Sequence, residues 1–137
     1  MRPQSIIMFE RLFLASIVVG LVNSVLLFGS LSTGQAISPA FLIGSIAVGI
    51  GLNLALWWFT ARRASNAARI ILTILFVLGI ASLVFSVATG SYPPGVAGLL
   101  GAVNWLLQTV SIVFLYRPDA SAWFRGSRID DLGETFE

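Results

Sequence analysis

The chain has 137 residues, 57% of them hydrophobic and 10% charged, with no Cys, no His and a formal net charge of +2. Without Cys or His there is no thiol chemistry, no disulfide and no zinc or copper site of ordinary type, and with all eight basic residues Arg there is no lysine for Schiff-base chemistry. The pI near 9.9 is no nucleic-acid signature, because such a surface clusters its cations on one exposed face, whereas these Arg residues flank apolar runs.

Arg2, Glu10 and Arg11 lead into an uncharged run of 50 residues, Leu12 to Ala61, and after Arg62, Arg63 and Arg69 a second of 47 extends from Ile70 to Tyr116. A span takes about 20 apolar residues to cross about 30 Å of hydrocarbon. Helices satisfy their own backbone there, so each run predicts a helical hairpin. The predicted fold is all-α, with four transmembrane helices at about 10–31, 38–60, 68–89 and 96–116. Residues 1–117 form one membrane domain and 118–137 an interfacial segment with an acidic tail. The first apolar stretch outlasts a cleavable signal core of about 7–15 residues, and no Ala-x-Ala follows it, so it reads as an uncleaved span. Ser30 to Pro39 breaks the first run and Thr89 to Gly95, with Pro93 and Pro94, breaks the second. Both hairpin loops are uncharged, and a cytoplasmic N-terminus places all eight Arg, and the C-terminus, on the cytoplasmic side.

Along the spans, rows of small residues recur at spacing four. They are Ser16, Gly20 and Ser24; Ala47, Gly51 and Ala55; Ser82, Ser86 and Gly90; and the pairs Ala97/Gly101 and Gly98/Ala102. Such rows let helix backbones approach closely, within one molecule or between molecules. At about 1.5 Å per residue, Asn23 and Asn104 lie about 18 and 19.5 Å from their flanking Arg, with Ser82 level with them; Asn53 and Gln108 lie about 13.5 Å in. This polar level reads first as interhelical hydrogen bonding, about 0.6 kcal/mol per bond, and second as a polar-substrate or quinone site. Gly51-Leu-Asn53 and Gly101-Ala-Val-Asn104 suggest a weak tandem relation of the two halves, both in the same orientation.

Trp57 and Trp58 beside Arg62 and Arg63 read as an aromatic belt with its cationic flank, and secondarily as an anionic-headgroup pocket. Glu10 reads as a plain flanking charge; a helix beginning at Ile6 would draw it inward. After span four, Pro118 disfavours helix at Arg117 and Asp119 can cap a new turn. Trp123 and Phe124 would then dip into the interface beside Arg125 and Arg128. Asp130, Asp131, Glu134 and Glu137 read as a solvated, disordered end.

The segments Trp57-Trp-Phe-Thr-Ala-Arg-Arg-Ala-Ser-Asn66 and Tyr116-Arg-Pro-Asp-Ala-Ser-Ala-Trp-Phe124 resemble those of a family of small, uncharacterised four-helix bacterial inner-membrane proteins. The resemblance implies a multi-pass protein of that membrane and brings no activity with it. Small multidrug-resistance exporters match in length and span count, but they carry a Glu within the first span, where this chain has only Asn23. Acid–base catalysis needs titratable groups that the spans lack, so the expected protein is no enzyme and needs no cofactor or metal. It is expected to act as an accessory or scaffold subunit of a membrane complex or homo-oligomer, in contact with membrane lipids. The alternative is a small transporter or channel for a neutral solute or lipid.

Overall fold

The computed structural model describes residues 2–34 and 38–133, with side chains at 2–29 and 38–126. Among the described residues five helices follow one another: α1 (Gln4–Gly34), α2 (Pro39–Arg63), α3 (Asn66–Ala88), α4 (Gly95–Leu115) and α5 (Pro118–Gly133). The first four are long and apolar enough to cross a membrane. Side chains such as Val48, 72% exposed, and Phe85, 70% exposed, cover their outer faces, as a hydrocarbon solvent allows.

Local chemistry sets the helix ends. Ser38 and Ser65 cap α2 and α3, each Oγ accepting a backbone N–H, from Phe41 at 3.2 Å and Ala68 at 3.3 Å. Pro39 opens α2, where its missing donor costs nothing. Ala64 closes that helix with a left-handed φ of 49°, which lets the Ser65 N–H reach the Phe59 carbonyl at 3.1 Å. Gly90, at φ 69°, ends α3, and the Ser91 N–H folds back to the Ser86 carbonyl at 2.9 Å.

The four long helices close a ring in which α1 touches α2, α2 touches α3, α3 touches α4 and α4 touches α1. Neighbours are antiparallel. Glu10 at the start of α1 bonds Arg62 at the end of α2, Thr73 early in α3 meets the Tyr116 hydroxyl after α4, and Gly20 faces Asn104 where Asn23 faces Gly101. The most extensive packing lies in neither sequence hairpin. It joins α1 to α4, the first and last spans, while α3 and α4 touch only lightly.

The buried core collects at one end. Ile6, Phe9 and Phe13 of α1 meet Leu56 and Ala61 of α2, Ala68 and Leu72 of α3, and Ile112 and Leu115 of α4, with Ala120 and Phe124 of α5 beneath them. The same end carries the charges, including Arg2, Glu10, Arg62, Arg69 and Asp119.

Several boundaries depart from expectation. Helix α1 begins at Gln4, not near residue 10, because Glu10 and Arg11 do not stop it: Glu10 accepts from Arg2 at 2.7 Å and from Arg62 at 2.9 Å and stays paired at the bundle edge. It also continues to Gly34, past the polar residues read as loop from Ser30. At about 1.5 Å per residue it is about 46 Å long, so it outreaches about 30 Å of hydrocarbon. Asp130 and Asp131 lie within α5, not in a disordered tail. Glu134 and Glu137 lie outside the described residues, as does the side chain of Arg128.

Candidate functional site

The polar level predicted from depth divides into two groups. Asn53, Asn104 and Gln108 line a cavity of about 240 Å³ between α1, α2 and α4, with Ser16 and Gly20 in its wall. Asn53 and Gln108 also border a second cavity of about 240 Å³ that reaches down to Phe13, Leu56 and Ile112 above the core. Asn23 and Ser82 are elsewhere, in a third space of about 230 Å³ with Ser86, Tyr92, Gly101 and Trp105.

Interhelical hydrogen bonding does not account for these amides. Asn53 Nδ2 donates to the Gly49 carbonyl of its own helix at 2.8 Å, while the Oδ1 atoms of Asn23 and Asn104 are buried without a hydrogen-bond partner. Asn104 Oδ1 instead lies 3.4 Å from where a Cβ on Gly20 would stand. The amides therefore serve as lining, and in a bilayer an unpaired amide faces a desolvation penalty that only a polar neighbour relieves.

Small residues serve different ends on each helix. Ser16 and Gly20 are turned into the bundle, and Gly20 lets α4 approach. Gly101 and Gly98 make room for the Tyr92 ring, whose hydroxyl donates to the Gly98 carbonyl at 2.7 Å. On α3, Ser82 is exposed, Ser86 half-buried and Gly90 part of the turn. Gly79, outside every predicted row, is the glycine that admits the Trp105 indole. On α2, Ala47, Gly51 and Ala55 are all exposed, and nothing lies within 4 Å of a Cβ built on Gly51. Gly51 and Gly101, paired by the tandem relation, thus have opposite surroundings.

At the charged end, Arg62 lies 5.8 Å from the Trp57 ring and 5.9 Å from the Trp58 ring. Trp57 packs on the core, whereas Trp58 and Arg63 are exposed. Trp123 also packs on the core and Arg125 is exposed. Phe124, expected in the interface, is buried at 4% exposure, because α5 turns back beneath the bundle. Asp119 fastens it there, accepting from the Ser5 Oγ at 2.8 Å and the Ser5 N–H at 3.3 Å. The Ser5 hydroxyl is the main reason that the Asp119 pKa lies below the ordinary carboxylate value.

Arg69, by sequence only a flanking charge, is a buried cation of the charged end. The residue is 9% exposed, its guanidinium stands 3.9 Å over Tyr116 and 5.0 Å from Phe124, and its Nη2 donates to Ser121 Oγ at 3.3 Å. A signal was present. A cation in the first turn of a helix opposes the helix dipole, so its presence there points to a tertiary partner.

Among the described residues no cluster of His, Cys, Asp or Glu could hold a metal ion. Comparison of the chain with protein-family models, with curated proteins and with solved structures finds no match.

Proposed function

We propose that this protein is a non-enzymatic, multi-pass protein of the bacterial inner membrane that serves as an accessory or scaffold subunit, docking through α2 on a second copy or a larger membrane complex. The observation that supports this is the exposed row Ala47, Gly51 and Ala55. Lipid chains pack poorly on a flat strip of small residues and another helix packs well, which makes association favourable in a bilayer. Long-range attraction is not needed. In this reading the Arg-bearing end, with both termini, lies in the cytoplasm; impermeant maleimide should then label a single Cys at position 91 in whole cells and not one at position 65, and the reverse pattern removes the orientation.

The test of association is native mass spectrometry from nanodiscs excised from the protein's own membrane. Wild type should appear as an oligomer or with a bound subunit. Gly51→Leu should be a folded monomer, since that position has open space around it. A wild type that is strictly monomeric and partnerless defeats the scaffold reading. The cavities favour a second reading, a small transporter or channel for a neutral solute or lipid, which would then lead.

A further inference from the structure

Asn53 and Gln108 are shared walls of two cavities, and the Gln108 amide has no hydrogen-bond partner among the described residues. A primary amide carries two donors and one acceptor. Away from water, leaving them unpaired is costly. The upper of these cavities continues sideways into a cleft of about 450 Å³ between α1 and α2, and Leu21, Ser24, Ile46 and Ile50 line both spaces. Val25, Ile43 and Ala47, which edge the cleft, are exposed, so its mouth faces the lipid. The volume is within the range of about 300–1,000 Å³ usual for small-molecule sites.

Depth and charge narrow the occupant. No lining residue of either space is charged. Gln108 and Asn104 stand seven and eleven residues before Leu115 in α4, so their amides lie about 10–16 Å inside the charged end. A phosphodiester carried to that depth would bury its charge in hydrocarbon. A phospholipid can therefore offer this site only its chains, which fill the cleft and leave the amides unpaired. We infer that the cleft and the amide cavity form one binding site for an uncharged single-chain amphiphile, its chain between α1 and α2 and its hydroxyl- or carbonyl-bearing head at Gln108 and Asn53. Binding alone is required, not passage, and the site stands whether or not α2 docks on a partner.

The test uses the full chain in phosphatidylcholine nanodiscs with hexadecanol carrying a mid-chain diazirine as the probe. Photolabelling should map to residues 21–28 and 43–50. Unlabelled 1-hexadecanol should displace the probe, and hexadecane should not. Gln108→Leu and Ile46→Trp, which remove the amide and fill the mouth respectively, should each lower labelling about tenfold, the order of one hydrogen bond or one lost apolar contact surface. Competition by hexadecane equal to that by the alcohol overturns the inference and leaves an ordinary lipid-filled furrow. So does unchanged labelling of a folded Gln108→Leu, or labelling confined to other segments. The competition arm uses wild type only, so a variant that does not fold leaves the inference exposed to refutation, and the Gly51→Leu measurement fails or succeeds separately.

Discussion

Gly79 and Gly51 sit on adjacent helices of similar composition, yet an added methyl group would meet opposite surroundings. At Gly79 it falls on the indole of Trp105, which is itself held 6.1 Å from the Phe76 ring, so the Trp cannot swing clear cheaply. Gly79→Ala should cost about 1–3 kcal/mol through overpacking, seen as a lower melting temperature in detergent, while Gly51→Ala should melt with wild type. Equal melting of both variants would contradict the seating of the Trp105 indole on Gly79. A second residue-scale consequence concerns acid. Asp119 is held below the ordinary carboxylate value chiefly by the Ser5 hydroxyl, so its contribution is complete above that ordinary value and is lost as pH falls through the lower folded value. In a variant whose only Trp is Trp123, indole emission should stay constant down to about pH 4 and shift below it. Ser5→Ala should move that shift upward in pH; an unmoved transition removes Ser5 as the cause.

At the scale of elements, α5 is the part whose role the sequence hid. Tyr116, Trp123 and Phe124 interleaved with Arg117 and Arg125 compose equally well a foot in the lipid interface and a plug beneath a bundle, because both environments are half apolar and half polar. What distinguishes them is the contact of Asp119 with Ser5, separated by 114 residues, and no local pattern encodes it. Phe124→Ala should therefore destabilise the fold by about 3–5 kcal/mol, as for a buried aromatic, and not by the few tenths of a surface site; thermal unfolding in detergent measures the difference. The spans were legible for the converse reason, since uncharged runs of 50 and 47 residues admit few other structures. The order of the amides along the spans was legible too, by counting from the flanking Arg. Their grouping was not. Helices that are apolar all round carry no stripe that reveals their rotation, so neither the separation of Asn23 from Asn104 nor the outward turn of Gly51 follows from spacing.

For the whole molecule, the decisive feature is that α1 finds its principal partner in α4 and not in the helix that follows it. Gly20 and Asn104 are 84 positions apart in the chain, and at about 5–20 residues per second of synthesis the second emerges roughly 4–17 s after the first. Throughout that interval α1 has only its lighter contact with α2 and the lipid itself. A nascent chain halted after residue 90 should consequently leave α1 unpartnered, and a lipid carrying a photoreactive diazirine in its chain should label position 20 as readily as the exposed position 25; in the finished protein only position 25 should be labelled. Protection of position 20 in the halted chain would show that α1 settles before α4 arrives. Until α4 has been made, α1 waits in the membrane for its principal partner.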